Sequence, residues 1–316
     1  MSQWAMAALL AVFAGAASSM ADTIHVPAEA PTISDAVATA GPGDTILIAA
    51  GTYTESGIFI DDPDITMIGE VNSDGTPAVT LDGQGTNDIL LAIGLVNATG
   101  ATIENLRFTG SIGNAVWIYH HSPTIRNCLF TGNSTVFAGG AIWSSDTQAV
   151  IESCQFIGNT AGDNGSLVLA KGTTGTRGHA GPVFRDCLFQ DNDGYCTLMV
   201  QFHDADVENC DFRGNSGHSA IYVHSSTLDV SGSLFCENGG APITGPYDDG
   251  GDNTFTDTCP VDCMGDLNGD LLIDIDDLLF LLGAYQVNAD GDCDDDGDTD
   301  VDDLLLLIGA YGQGCG

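Results

Sequence analysis

Two acidic stretches near the end of the chain carry oxygen side chains at the spacing that wraps a calcium ion. Each is a twelve-residue loop with Asp or Asn at loop positions 1, 3, 5, 9 and 12, and such a loop adds the backbone carbonyl of position 7. Each loop also runs into an apolar segment that predicts a helix. We therefore predict two Ca²⁺ ions, with ligands from Asp266, Asn268, Asp270, Leu272, Asp274 and Asp277 in the first loop and from Asp292, Asp294, Asp296, Asp298, Asp300 and Asp303 in the second.

The two loops differ at loop position 6, where the backbone turns sharply. The second loop has Gly297 at this position, whereas the first has Leu271. A side chain forced into a left-handed turn costs on the order of 1 kcal/mol, and the second loop also contains additional carboxylates. We therefore expect the second loop to bind calcium more tightly than the first.

The framework that precedes these loops is predicted by a phrase that returns six times. Its first copy reads Ile103-Glu-Asn-Leu-Arg-Phe108, and the phenylalanines that end successive copies are separated by 22, 26, 33, 23 and 23 residues. A second apolar segment follows most copies. Repeats of this length predict coils of short strands, which stack so that the strands of neighbouring coils pair in parallel. The recurring phenylalanines are Phe108, Phe130, Phe156, Phe189, Phe212 and Phe235.

Stacking places equal positions of successive coils in columns. The Phe column is predicted to fill the interior. Three residues after each Phe, we expect turn residues that tolerate a left-handed conformation and whose amides bond the next coil; these are Ser111, Asn133, Asn159, Asn192, Asn215 and Asn238. A further column contains Cys128, Cys154, Cys187 and Cys210. Because a column along an axis does not converge on one metal, we expect packed thiols that are not in disulfides.

Alternation within the strands predicts which side chains face outward. In the repeated phrase, the outward column alternates in charge and predicts ion pairs between coils; it consists of Glu104, Arg126, Glu152, Arg185, Glu208 and Asp229. In the second apolar segment, the predicted outward columns are Trp117, Trp143, Val168, Met199 and Tyr222, then Tyr119, Ser145, Ala170, Gln201 and His224.

The outward columns of the second apolar segment together contain a strip of aromatic side chains. Soluble monomers usually avoid exposing such a strip. Flat rings beside polar groups suit the apolar faces of sugars. We therefore predict carbohydrate contact by Trp117, Tyr119, Trp143, Tyr222 and His224. The alternative is that the long insertion between the third and fourth phrases folds over the strip and buries it.

These repeats resemble the right-handed parallel β-helix proteins of the pectin-lyase-like superfamily. The opening of the chain is similar to their N-terminal coils. The residues that carry this similarity are Val26-Pro27, Pro31-Thr32-Ile33, Gly43-Asp44-Thr45 and Gly51-Thr52-Tyr53. Pro31 to Ala40 predicts a short helix, with Thr32 as its N-cap, that covers the open end of the solenoid. The C-terminal loops resemble a type I dockerin, in which position 12 is Asp, and this resemblance implies docking onto a cohesin-like or cell-surface protein.

The predicted fold is therefore all-β, a right-handed parallel β-helix (solenoid) with a small α-helical dockerin-like calcium-binding C-terminal domain. Polysaccharide lyases of the superfamily use a basic residue as proton abstractor, so the resemblance implies catalytic candidates in and beside the Gly-rich insertion: Lys171, Arg177 and His179. The esterase and polygalacturonase motifs of the superfamily are not recognisable. A polysaccharide lyase or glycoside hydrolase is thus one alternative to glycan binding, and a structural or adhesive surface protein is another.

The charge balance limits the partners. The chain has 44 acidic residues against 6 Lys and Arg, a formal charge of -38, so it repels nucleic acid and anionic membranes. The apolar stretch from Trp4 to Ala17, followed by Ser19-Met20-Ala21, predicts a secretory signal peptide, and no later segment predicts membrane insertion.

We therefore expect a protein that is secreted or at the cell surface. Its predicted parts are a signal peptide at 1–21, the β-helix at 22–258 and the calcium module at 259–316. Cys259, Cys263, Cys293 and Cys315 surround the module, where two disulfides would stabilise so small a domain.

Overall fold

The computed structural model of the chain describes residues 21–61, 64–86, 89–94, 100–162, 165–172, 180–259, 265, 267, 273–287, 291–293 and 298–312. Within these ranges, three parallel sheets form a solenoid, and two helices follow it. Sheet A contains Thr23–Val26, Thr45–Ile48, Thr66–Gly69, Thr102–Glu104, Thr124–Arg126, Val150–Glu152, Val183–Arg185, Ala205–Glu208, Leu228–Ser231 and Asp248–Gly251. The predicted signal peptide lies outside the described residues, except for Ala21.

The other two sheets complete each coil. Sheet B contains Gly51–Tyr53, Val79–Thr86, Leu106–Ser111, Leu129–Thr131, Gln155–Ile157, Leu188–Gln190, Asp211–Arg213, Leu234–Cys236 and Thr254–Thr256. Sheet C contains Ile58–Ile60, Leu91–Ile93, Val116–Tyr119, Ile142–Ser145, Ser166–Lys171, Cys196–Gln201, Ser219–His224 and Ala241–Thr244. A short extra pair, Ser134–Thr135 with Thr160–Ala161, joins two turns between sheets B and C. The predicted parallel solenoid is confirmed.

Helix α1, Ile33–Thr39, covers the N-terminal end of the solenoid as predicted. Its N-cap is Thr32, whose Oγ1 accepts a hydrogen bond from Asp35 N at 3.0 Å. The carboxylate of Glu55 accepts two more bonds, from Ile33 N and Ser34 N, both at 2.9 Å. These three acceptors satisfy N–H groups that have no partner within the helix, and the buried Ile33 faces the core.

The interior is filled by a continuous stack of aromatic rings. The six predicted phenylalanines are 0–1% exposed, and the ring centroids of successive members lie 4.6–4.9 Å apart with nearly parallel planes. Phe255 adds a seventh ring, 5.1 Å from Phe235, and is 42% exposed at the last coil. Each pair of rings thus fixes the vertical alignment of two coils.

The asparagine ladder is present, but the predicted backbone conformation was wrong. Asn133, Asn159, Asn192 and Asn215 are 0–2% exposed, and each Nδ2 donates to a Phe carbonyl of the preceding coil at 2.8–2.9 Å. Each Oδ1 accepts the backbone N–H of the preceding ladder residue. The left-handed residue is instead the one before the ladder position, Gly110, Gly132, Gly158, Asp191, Gly214 and Glu237, because that residue makes the turn.

The cysteine column is confirmed as packed thiols outside disulfides. Cys128, Cys154, Cys187 and Cys210 are 0–2% exposed and form no disulfide. Burial raises the pKa of Cys154, and raises that of Cys196 on sheet C to about 12. The Cys154 and Cys196 thiols therefore stay protonated in the native fold.

The predicted disulfides around the C-terminal module were wrong for Cys259. It pairs with Cys236 of the solenoid, with a Cα–Cα distance of 4.8 Å and a sequence separation of 23 residues. In sheet B, Cys236 pairs with Thr256, so Cys259 lies three residues beyond the equivalent position, and the bridge joins the end of the last coil to the coil before it. Cys263 and Cys315 lie outside the described residues.

The charged column of sheet A is confirmed over its first five members and differs at the sixth. Register places Glu104 beside Arg126, Arg126 beside Glu152, and Arg185 between Glu152 and Glu208. Arg126 forms an ion pair with Glu104, and Arg185 Nε lies 2.8 Å from Glu208. The prediction of Asp229 was wrong, because Glu208 pairs with Ser231 and Asp229 pairs with Asp206.

The C-terminal helices are related by an internal repeat of 26 residues. Helix α2 is Ile275–Ala284 and helix α3 is Val301–Ala310. The residue after the C-cap of each helix bonds the loop before the other: Gln286 N donates to Thr299 O at 2.8 Å, and Gly312 N donates to Ile273 O at 2.7 Å. The two halves therefore pack reciprocally around Leu281 and Leu307, both 0% exposed.

Among the described helices, none has the length and apolar character needed to cross a membrane.

The asparagine ladder yields a stability prediction. Asn192→Ala removes the donor to Phe156 O and the acceptor of Asn159 N–H, and a buried group left without a partner costs about 1–3 kcal/mol. We expect a loss of about 2–5 kcal/mol in the free energy of unfolding, measured by urea denaturation. Asn238→Ala is the matched control. Asn238 is the half-buried last member of the ladder, so water can take over the hydrogen bonds that its amide makes. Equal losses in the two variants would contradict the ladder account.

The thiols yield a labelling prediction. In denatured, unreduced protein, an alkylating reagent should label Cys128, Cys154, Cys187 and Cys210, and peptide mass mapping should find Cys236 and Cys259 linked. In native protein the four column thiols should stay unlabelled because they are buried. Quantitative pairing within the column would show that the packing account is wrong.

Candidate functional site

The outer face of sheet C is the surface on which the predicted aromatic strip lies. Register pairs Trp117 with Ala92 on one side and with Trp143 on the other. The strip continues through Leu169, Met199 and Tyr222. The predicted outward position of Val168 was wrong, because Val168 pairs with the inward Ile142 and is 0% exposed. Phe59, 46% exposed, begins the same column and was missed.

Three aromatic rings form a parallel group at the centre of this surface. The ring centroids of Trp117 and Trp143 are 5.3 Å apart with 19° between the planes, and those of Trp117 and Tyr119 are 5.4 Å apart with 4° between the planes. All three side chains are half-buried. The group is therefore held rigidly by ring contacts while part of it faces solvent, which is the form of an apolar platform.

A second aromatic group lies farther along the same sheet. Tyr195 stacks on His218 at 5.1 Å and 15°, and contacts Tyr222 edge-on at 5.5 Å. Tyr195 and His218 belong to the turns before two strands of sheet C, and their spacing of one 23-residue repeat could have identified them. Between the two groups, Leu169 and Met199 are only 5% and 7% exposed, since Tyr195 and other neighbours pack on them. The predicted strip is thus divided into two aromatic platforms, which are separated by the buried side chains of Leu169 and Met199.

The polar edge of sheet C runs beside the platforms. Its register is Tyr119, Ser145, Lys171, Gln201 and His224. The predicted position of Ala170 in this column was wrong, because Ala170 points inward and Lys171 takes its place. Lys171 and His224 therefore lie on one column, two coils apart. Arg177 and His179 lie outside the described residues, as does most of the insertion that was predicted as an alternative cover.

Two histidines flank the first platform at the turn after its strand. His120 contacts the ring of Tyr119 at 3.9 Å between centroids, and its Nδ1 lies 3.9 Å from Asp146 Oδ2. Partial burial, followed by the neighbouring His120, lowers the pKa of His121. His121 is therefore neutral at neutral pH and packs against Gly94, where a Cβ would lie 1.9 Å from its ring.

The opposite side of the platforms is a wall of turns that lead into sheet C. Val136 and Phe137 stand at its tip, 76% and 77% exposed. Gly165 lies directly beneath them, and a Cβ there would meet Phe137 O at 1.6 Å. This close approach allows one turn to rest on the next. The outer face of sheet C is consequently bordered on one side by turns and on the other by polar side chains.

The acidic loops place their last carboxylate in the same way in both halves of the module. Asp277 and Asp303 are 0% exposed and stand at the third position of α2 and α3. Asp277 accepts from Leu267 N and Asp274 N, both at 2.8 Å, while Asp303 accepts from Cys293 N at 2.6 Å and Asp300 N at 2.7 Å. Each loop is therefore closed onto its helix by a buried carboxylate.

The second loop brings three predicted ligands together. Carboxylate oxygens of Asp298, Asp300 and Asp303 lie within 4.8 Å of one another. No Lys or Arg follows Arg213 in the sequence to offset their charge. Among the other predicted ligands, Asp274 is the N-cap of α2, and Asp292 lies within the described residues. Six predicted ligands lie outside the described residues: Asp266, Asn268, Asp270, Leu272, Asp294 and Asp296.

Both helices of the module also expose apolar side chains at equivalent positions. On α2 and α3 these residues are 49–61% exposed, and they are Ile275, Leu279 and Leu282 with their counterparts Val301, Leu305 and Ile308. The two sets are related by the 26-residue repeat. The module therefore presents equivalent exposed apolar residues twice, once on each helix.

The chain matches a family model described as "Right handed beta helix region" over residues 56–258. No curated protein matches it. Similar solved structures include the deglycosylated pectin methylesterase from Aspergillus niger, with 15% identity, 77% of this chain and 86% of that chain covered, and a TM-score of 0.49. Pectin methylesterase PemA from Erwinia chrysanthemi is 12% identical, with 74% of this chain and 94% of that chain covered and a TM-score of 0.44. Pectate lyase Pel9A is 11% identical, with 80% of this chain and 85% of that chain covered and a TM-score of 0.42. At these values we assign no activity from them.

Proposed function

The chain belongs to the right-handed β-helix family, and we propose that it is a secreted protein that contacts extracellular polysaccharide and is tethered through a calcium-binding, dockerin-like module. The observation that carries the glycan proposal is the parallel, half-buried group of Trp117, Tyr119 and Trp143. Such rings present apolar area at a small cost in side-chain entropy because they are already fixed. The polar edge beside them supplies groups for sugar hydroxyls.

The length of the surface favours a polymer over a single sugar. The two platforms belong to coils that are several strands apart on sheet C, and neighbouring strands are spaced about 4.8 Å. The platforms are therefore on the order of 15 Å apart. One extended glycan chain lying along the solenoid axis would contact both platforms.

The calcium proposal rests on how the acidic loops fit a hard cation. Ca²⁺ prefers oxygen ligands, carboxylates above all, and the second loop holds three carboxylates within 4.8 Å without a basic side chain in the sequence that follows Arg213. Burying an ionised carboxylate is costly unless hydrogen bonds or a counter-charge compensate it. The residues present thus fit calcium, with Asp298, Asp300 and Asp303 contributing to the second site and Asp274 and Asp277 to the first.

The tethering proposal rests on the duplicated apolar face of α2 and α3. A cohesin-like or other cell-surface protein is the partner that we propose for it. Docking would bury the six exposed side chains that the 26-residue repeat presents twice. Calcium would then act by holding each loop closed on its helix.

An enzymatic function is the second candidate, and Lys171 is the observation that favours it. Among the described residues, Lys171 has no ion-pair partner, and it shares the polar edge of the platform surface with Gln201 and His224. A basic side chain beside a bound sugar could accept a proton. Reducing-end release and unsaturated-uronide absorbance, measured on a glycan panel, distinguish a hydrolase or lyase from a binding protein.

The platform yields a binding prediction. Trp117→Ala combined with Trp143→Ala should lower glycan affinity at least tenfold on a glycan array or by calorimetry, because aromatic contacts contribute heavily to binding energy. The far-UV circular dichroism should be unchanged, since both rings lie outside the core. Phe137→Ala is the control, because this exposed ring stands on the wall. Wild-type affinity in the double variant would refute the proposed platform.

The acidic loops yield a calcium prediction. Calorimetry on the full chain should show two sites, and Asp303→Asn should remove the tighter one while Asp277→Asn removes the weaker one. Asparagine keeps an oxygen that can accept one of the backbone N–H bonds, so the helices should still form by circular dichroism.

Asp302→Ala is the matched control for this experiment. Asp302 is exposed on the same turn of α3 as Asp303, and its replacement should leave both sites. Two intact sites in Asp303→Asn would contradict the assignment of this residue as a ligand. Loss of the weaker site in that variant would instead contradict the predicted order of the two loops.

A further inference from the structure

A cleft between helix α1 and the first strand of sheet C, Ile58–Ile60, lies at the N-terminal end of the aromatic surface. Its volume is about 330 Å³, which is near the lower end for ligand pockets, about 300–1,000 Å³. Register places Phe59 beside Ala92 and Ala92 beside Trp117, so the cleft continues the column of the first platform. The residues that line it include Ser34, Val37, Ile58, Phe59, Asp61 and Ile65.

Phe59 is an exposed ring on a strand that is otherwise buried. Its neighbours Ile58 and Ile60 are 1% and 0% exposed, whereas Phe59 is 46% exposed. Alternation within the strand therefore directs the ring outward. The strand is fixed to the next coil, since Ile58 N donates to Leu90 O at 3.1 Å. A ring on such a fixed strand presents its open face to a ligand at a small entropic cost.

The opposite wall of the cleft is helix α1. Its Val37 side chain is 9% exposed and packs on the core. The first turn of the helix is held by the carboxylate of Glu55, which accepts from Ile33 N and Ser34 N, both at 2.9 Å. The wall is therefore preformed, and the charge of Glu55 is already engaged with the backbone.

Asp61 supplies the negative charge of the cleft. It lies two residues after Phe59 and is exposed. Within the described part of the chain it forms no ion pair. Its charge acts to raise the pKa of His121, but burial outweighs this effect and the pKa of His121 is lowered. His121 is thus neutral at neutral pH, and the carboxylate of Asp61 stays available to a cationic ligand.

The combination of ring and carboxylate indicates the chemistry of the ligand. An aromatic face suits the apolar face of a sugar and attracts a cation, and a carboxylate binds an ammonium group through charge-assisted hydrogen bonds. A chain with a formal charge of -38 concentrates cations at its surface. We propose that the polymer bound by the platforms is a cationic glycan, and that this cleft binds one amino-sugar unit, with Phe59 against the sugar ring and Asp61 on the ammonium group.

This inference rests on the proposed glycan function and adds the class of glycan. Two strand spacings separate Phe59 from Trp117, which is about 10 Å, so one polymer along the solenoid axis reaches both rings. Lys171 lies four strands from Phe59 in the same sheet, about 19 Å away. Charges beyond about 8 Å are largely screened at physiological salt. Lys171 therefore does not repel an ammonium group in the cleft.

The test is calorimetry on the full, calcium-loaded chain with the tetramer of glucosamine and with its N-acetylated counterpart. At about pH 7 an amine with the pKa of an α-amino group, about 7.7–8.0, is mostly protonated, whereas acetylation removes the charge and keeps the sugar ring. We expect the glucosamine tetramer to bind about fivefold more tightly, as an exposed ion pair allows. Asp61→Asn should abolish this preference and leave the affinity for the N-acetylated tetramer unchanged. Phe59→Ala should weaken the binding of both.

Controls separate the cleft from a general attraction between an acidic chain and a polycation. Asp35→Asn is the matched variant, because Asp35 is exposed on helix α1 but does not line the cleft, and it should keep the preference. A tetramer of lysine should bind at least tenfold more weakly than the glucosamine tetramer. The Trp117 and Trp143 double variant should weaken both glycan tetramers by the same factor. Circular dichroism of the Phe59 and Asp61 variants should match the wild type, since both side chains are exposed.

The outcomes distinguish this inference from the function on which it rests. Binding of both glycan tetramers with equal affinity, or a preference that persists in Asp61→Asn, would show that the cleft proposal is wrong while glycan contact stands. Tetralysine that binds as tightly as the glucosamine tetramer would also overturn it. If the chain bound neither tetramer and no glycan on an array, the cleft proposal and the glycan function would both fail.

Discussion

Register between successive coils is the constraint on which the rest of this structure depends. A slip of one residue in a strand would turn its inward side chains to solvent, so each coil must align with the one before it. Two columns enforce the alignment, the stacked phenylalanines and the asparagine ladder, because each member contacts its neighbour directly. The phenylalanine spacing still varies from 22 to 33 residues. Extra length is therefore accommodated in turns, and function can be built there without disturbing the core.

The sequence predicts the parts of the fold that repeat and fails where a column is locally ambiguous. The Phe, Asn and Cys columns, the parallel pairing and helix α1 are all readable from spacing. The segment Ser166–Lys171 is not, because Leu167, Val168 and Leu169 are equally apolar and all are buried. Only pairing with Ile142 decides which of them faces inward. The left-handed residues were misplaced by one position for a similar reason, since both Gly and Asn favour turns.

In the candidate sites, too, the sequence predicts what repeats or follows a regular spacing, and it does not predict what depends on contacts in the folded chain. Loop spacing predicts the carboxylates of the acidic module, but it does not reveal that Asp277 and Asp303 also bind backbone N–H groups and cap their helices. Tyr195 and His218 were missed because they belong to turns and not to the alternating strands.

The disulfide closes the last coil of the solenoid, the coil from which the proposed tether would extend. Solenoid coils contact only their neighbours, so a terminal coil can separate without disrupting the rest. The last strands of sheets C, A and B lie between Cys236 and Cys259, and the bridge joins those two residues across one coil. In the proposed tethered arrangement, a pull on the C-terminal module reaches Cys259 first and passes through the disulfide to Cys236. The force therefore does not pass through the strands at 241–256. The last coil, with Phe255 at the end of the aromatic stack, would stay in place under such a pull.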